Sequence, residues 1–170
     1  VTANLSLKTE FISRFRLFDA ENFRDAMWED CELGYRLIQY GLKLHYWPEA
    51  IVYHDHLMTL ESFGRRQFKV GQYVGRLSRN PFMQGTKSYL DAIADEPAIK
   101  IALEGYSLSD FVALIKKLES DEAFFQKKIG PDYLGEIYNW ILAVVMIHGS
   151  KSPHVDVKDA WNADGDGLKL

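Results

Sequence analysis

The chain has 170 residues, a single cysteine and a formal net charge of −4. That length can bury a sizeable core in one domain, and an apolar fraction of 47% is that of a folded globular chain. The acidic balance argues against a nucleic-acid binder, and a lone Cys31 excludes an internal disulfide and a cysteine zinc site.

Residues 1–10 lack the basic start and apolar run of a signal peptide. The longest apolar run, Trp140 to Ile147, falls far short of the ~20 residues that cross a bilayer.

Residues 1–6 read as a strand end or loop. Ser6 is placed to cap a helix from Leu7 to about Phe15, with Glu10 near the acidic position of a capping box. Residues 18–27, rich in Phe, Asn and Asp, read as loop. Asp30 is a good N-cap for the next helix, in which Leu33, Leu37, Ile38 and Tyr40 recur at helical spacing. Gly41 is placed to end that helix in a left-handed turn. Leu42 to Trp47 and Ala50 to His54 read as two short strands around a Pro48-Glu49 turn. Thr59 then caps a long helix from Leu60 to about Ser78, stopped by Asn80-Pro81. Its Leu60, Phe63, Val70, Val74 and Leu77 keep a three-four rhythm. Gly71 inside it costs about 1 kcal/mol relative to Ala, so a close packing contact is expected there.

From Thr86 the pattern is helical throughout. Short helices are expected over 86–94 and 97–103, the second opened by Pro97 and ended by Gly105. Ser107 opens a helix with apolar Leu108, Phe111, Val112, Ile115 and Leu118, and Ser120 caps another that ends at Gly130-Pro131. A final helix from Asp132 to Ile147 is apolar nearly all round from Trp140, which places it at the centre of this part. Residues 150–170 lack periodicity and read as a flexible tail.

The stretch from Trp28 to His54 carries an ordered set of marks: Glu29-Asp30 at a helix start, Arg36, Gly41, Pro48-Glu49-Ala50 and His54. Upstream lie Asn4 before a helix and Phe18-Asp19. In this order and spacing the set resembles the second half of the catalytic domain of family-two glycosyltransferases, over roughly residues 1–78. The resemblance implies an α/β parent of GT-A fold. This chain would be an α+β piece of it, mostly helical with a short two-stranded element. Residues 1–80 would form the acceptor-side part, residues 86–149 a helical region outside the resemblance, and residues 150–170 the tail. The nucleotide-binding half of that family precedes this part and ends in an Asp-x-Asp motif. The one such string here, Asp164-Gly165-Asp166, lies on the wrong side of the acidic pair, so the chain reads as the C-terminal portion of a longer transferase.

The resemblance assigns roles residue by residue. Asp30 is the catalytic base that takes the proton of an acceptor hydroxyl. Beside it, Glu29 is suited to acceptor hydroxyls and Trp28 to stacking on a sugar ring, both substrate-binding readings of the residue types rather than of the family. His54 joins a divalent metal, magnesium or manganese, that neutralises the leaving diphosphate of a nucleotide-diphosphate sugar. Arg65 and Arg66 belong to a basic helix, with Lys69, Arg76 and Arg79, suited to a diphosphate or an anionic acceptor. The ordinary alternatives stand beside each: Asp30 as a plain helix cap, Trp28 as core, the basic residues as a solvated face. The implied partners are a sugar or glycan acceptor and the missing nucleotide-binding half, with no nucleic acid. By analogy the location is cytoplasmic, at the inner face of a membrane; peripheral membrane association and self-association stay open. Two other functions compete: a helical interaction module without catalysis, and a small metal-binding protein built on His54 and His56.

Overall fold

Two glycines decide how the longest helices meet. In a computed structural model, which describes residues 4–25, 27–53, 55–77 and 85–162, helices α3 (Leu60–Leu77) and α8 (Pro131–Lys151) pack more extensively than any other pair. A Cβ on Gly71 would overlap the Met146 carbonyl, and one on Gly149 would overlap the Phe68 carbonyl. The two backbones therefore touch, and the close contact expected at Gly71 is found.

The other helices surround this pair: α4 (Gly85–Ala94), α5 (Pro97–Gly105), α6 (Leu108–Ser120), α7 (Glu122–Ile129) and α9 (Val157–Asn162). Phe68, Phe111, Ile115, Ile141, Val144 and Trp161 lie at the centre of the shared core. Each such side chain contributes roughly 1.5–3 kcal/mol by leaving water. Before this body come α1 (Thr9–Arg14) and α2 (Glu29–Gln39), joined where Phe15 stacks on Tyr40 at 4.4 Å. The described residues are mostly helical, as the pattern implied.

Several helix ends follow the sequence. Thr59 and Ser62 cap α3 reciprocally, each backbone N–H donating to the other's hydroxyl, at 3.0 Å from Thr59 and 3.1 Å from Ser62. Ser107 and Asp110 form a full capping box on α6. Gly41, at φ 89°, closes α2: its N–H donates to Ile38 O, and the next N–H, of Leu42, donates to Leu37 O, which is a Schellman turn.

Other ends do not. α1 starts after Lys8, with no side-chain cap, so Ser6 does not open it. Gly105 lies inside α5. The Ser120 hydroxyl donates back to Lys117 O, and α7 starts only after Asp121. The stop expected at Asn80-Pro81 lies outside the described residues.

Two expectations are corrected. No strand is found among the described residues, so the two-stranded element over 42–53 is absent. Its β-prone side chains stand in water, and two strands alone rarely hold together without a third or a helix to cover them. The tail is also partly ordered. Residues 157–162 form α9, and Trp161 is only 1% exposed, seated over Gly64 of α3 with a contact of 2.9 Å to an added Cβ. A lone buried aromatic leaves no periodic signal in a stretch of polar residues, which hid it. Gln72 ties this end down, its amide donating to Ser152 O at 2.8 Å and Val155 O at 2.7 Å. α3 packs against α6, α8 and α9.

Candidate functional site

The loop before α2 is fixed by charge. Arg36 grips Glu32 one turn back with two bonds, Nε to Oε1 at 2.7 Å and Nη2 to Oε2 at 3.1 Å. Its remaining donors reach Arg16 O at 2.6 Å and Leu17 O at 3.1 Å. Glu32 is buried, so it needs this paired, fully bonded partner. The bond to Glu32 in turn raises the Arg36 guanidinium above its already high value. Next along the loop, Asp19 accepts from the Asn22 side chain at 2.7 Å and holds its carboxyl below the usual range chiefly for that reason. Asp25 then accepts from the Tyr73 hydroxyl at 2.5 Å and pairs with Lys69 at 3.0 Å. Phe23, Met27, Tyr73 and Leu77 close a small apolar cluster beneath, with Trp28, Cys31 and Val70 against it.

This loop delivers the chain to α2 through a strained residue. Trp28 has φ 67°, the left-handed region, and is the sole non-glycine there among the described residues. For an aromatic residue that costs on the order of 1–3 kcal/mol. Its indole N–H is also buried without a partner. The N-cap of α2 is Trp28, with no side-chain cap bond. That corrects the expectation that Asp30 caps the helix: Glu29 and Asp30 are its first two residues.

Both carboxylates are half-buried. Burial pushes the Asp30 carboxyl up, and the Cys31 N–H, donating at 2.8 Å, pulls it down. The positive end of α2 favours the ionised form. Away from the helix, the Asn4 amide donates to Ala50 O at 2.8 Å. The Asn of the first segment and the Pro-Glu-Ala turn, far apart in sequence, are therefore in contact.

The remaining marked residues lie elsewhere or outside. Arg65 pairs with Glu61 at 2.7 Å and lies 5.7 Å from the Trp161 ring centroid. It sits about 12 Å along α3 from Tyr73, at 1.5 Å per residue. Arg66 is exposed. Neither arginine contacts the acidic pair among the described residues, and Lys69 is engaged by Asp25. His54, Arg79 and Asp164 to Asp166 lie outside the described residues, as does the side chain of Arg76. His56 is exposed. The roles of Glu32 and Asp25 were not foreseen. The Glu32–Arg36 spacing of four on a helix was the available signal; the Asp25–Tyr73 contact left none.

Among the described residues no group of three or more His, Cys, Asp or Glu could hold a metal ion, and no helix is long and apolar enough to cross a membrane. Comparison with known protein families, curated proteins and solved structures returns no match.

Proposed function

We propose that this chain is the acceptor-side part of a GT-A, family-two glycosyltransferase. It would work with a nucleotide-binding half to move a sugar from a nucleotide-diphosphate sugar to an acceptor hydroxyl, in polysaccharide or glycoconjugate synthesis. One observation carries the reading. Two bonds link segments that carry the resemblance: Asn4 bonds Ala50, and Arg36 bonds the chain just before Phe18-Asp19. Glu29 and Asp30 open α2, the helix that carries Arg36.

In the reaction the acceptor oxygen attacks the anomeric carbon as the bond to the diphosphate breaks, on the opposite face. Asp30 takes the hydroxyl proton as the new C–O bond forms. A carboxylate at a helix N-terminus is a weak base, which suffices when the proton moves late. Glu29 would bond acceptor hydroxyls, and the half-buried Trp28 ring would bound the acceptor on one side. Arg65, paired with Glu61, would have to exchange that partner to hold an anionic acceptor. A divalent metal and the donor would be held mainly by the other half, with His54, outside the described residues, joining the metal from this chain. The inner membrane face remains the location proposed by analogy.

The test is the configuration of the product. With the nucleotide-binding half of a family-two transferase supplied, NMR of the product sugar should show an anomeric centre inverted relative to the donor. A retained centre, or no transfer with any common nucleotide sugar, rejects the reading.

A second reading, a helical interaction module, draws on apolar side chains exposed away from the acidic pair: Ile101 and Tyr106 at α5, Phe124 on α7 and Tyr133 on α8. A chain that stays strictly monomeric and captures no partner removes it.

A further inference from the structure

The helical region over 86–149 lies outside the resemblance, which gives it no role. The structure joins it to the acidic pair at one side chain. Trp28 packs against two small apolar clusters. One is Phe23, Met27, Tyr73 and Leu77, beneath the loop before α2. The other is Val74 of α3, Leu90 of α4 and Ile147 of α8. Among the described residues no other side chain packs against both. α2 itself has no broad contact with another helix there.

What the ring holds is a backbone turn. Trp28 sits at φ 67° and ψ −2°, a conformation that an aromatic residue keeps only where its surroundings fix it. No hydrogen bond of its side chain does so, because the indole N–H is buried without a partner and makes no cap bond. The apolar seat is what remains. The Tyr73 hydroxyl and Lys69 hold the loop at Asp25, three residues upstream, and leave the Trp28 torsions free. Downstream, the Glu32 N–H donates to Trp28 O at 3.0 Å, so the first turn of α2 hangs from this residue. Glu29 and Asp30 leave the turn in the direction that Trp28 gives them.

We propose that the helical region positions the acidic pair through Trp28. Leu90 and Ile147 seat the ring, the seated ring keeps the left-handed turn, and the turn aims Glu29 and Asp30. Leu90 and Ile147 are thus positioning residues. The catalytic consequence rests on the transferase reading; the coupling is a property of the fold and is tested apart from it.

The probe is Cys31, the one cysteine of the chain, half-buried and next to Asp30. Its rate of labelling by a thiol reagent reports opening at the start of α2. Leu90→Ala is compared with Ile115→Ala, which empties the main core away from Trp28, each at the same interval below its own Tm. Leu90→Ala should label about 10-fold faster than the parent, Ile115→Ala within about 2-fold of it, and Leu90→Met close to the parent rate. If Leu90→Ala does not fold, Ile147→Val trims the same seat and should give a smaller acceleration, about 3-fold. With the nucleotide-binding half of a family-two transferase supplied, Leu90→Ala should lower kcat about 10-fold or more and leave the donor KM unchanged. Labelling at the parent rate in Leu90→Ala overturns the proposal. So does equal acceleration in Ile115→Ala, which would make the effect one of general loosening, or an unchanged kcat beside accelerated labelling. Acceleration specific to Leu90 in a complex that transfers no sugar sustains the coupling and rejects the transferase reading alone.

Discussion

Glu32 and Arg36 form a two-pronged ion pair one helical turn apart, and Arg36 spends its other donors on the carbonyls of Arg16 and Leu17. The pair joins α2, which carries the acidic residues, to the loop that precedes them. Its members are shielded, with side chains 2% and 13% exposed, so neither can lose its partner cheaply. Arg36→Met should cost about 3–5 kcal/mol, because it strands the Glu32 charge in a dry site. The double change Glu32→Leu, Arg36→Met should recover a large part of that loss. Urea unfolding of the two variants against the parent checks both; a double variant no more stable than the single one would contradict it.

The α3–α8 crossing predicts a contrast between two glycines. Gly71→Ala drives a methyl group into the Met146 carbonyl, where backbone rather than a flexible side chain must yield. It should cost several kcal/mol, beyond the 1–3 typical of overpacking, since two helices must separate. Gly135, in α8, has nothing within 4 Å of an added Cβ. There the same change should stabilise by about 0.4–1 kcal/mol, through a less flexible unfolded chain and better helix propensity. Thermal unfolding of both variants reads the two signs.

His148 predicts a pH dependence. It is buried on α8 beside Phe111, with neither ring nitrogen bonded. Burial, helped by Lys151, lowers its pKa from 6.5 to about 4. The unfolded chain therefore takes up a proton below about pH 6.5 that the folded chain refuses until about pH 4. Stability is full above that window and falls as pH drops through it, by roughly 3 kcal/mol in all. His148→Leu should remove this part of the decline. Carboxylates such as Asp19, whose pKa is lowered, keep titrating in both proteins, so the difference between the two curves isolates the histidine.

The long helices were legible because their signals are local and redundant. Thr59, the three-four rhythm and the odd glycine of α3 each point to the same element, and all three have their expected consequence. The acidic pair was legible as a helix start but not in its geometry. Nothing local announces that Trp28 turns left-handed and takes the capping position, leaving Asp30 inside the first turn. Strand character failed for the opposite reason: β propensity describes a pleated, half-covered surface, and residues 42–53 are given none among the described residues. α9 escaped notice because the contact that seats it, Trp161 over Gly64, joins residues far apart in the chain. Arg65 looked available as a cation, yet its four-residue spacing from Glu61 already offered a local partner.

In the proposed reaction the Asp30 carboxylate is the base. Sugar transfer should be measured with the nucleotide-binding half supplied, comparing the parent chain with Asp30→Asn, whose Tm should differ little because Asp30 is only half-buried. Loss of the base should lower kcat by about 10²–10⁴ while donor binding is kept. A well-folded Asp30→Asn variant that transfers sugar within a few-fold of the parent rate would contradict the assignment of Asp30 as the base.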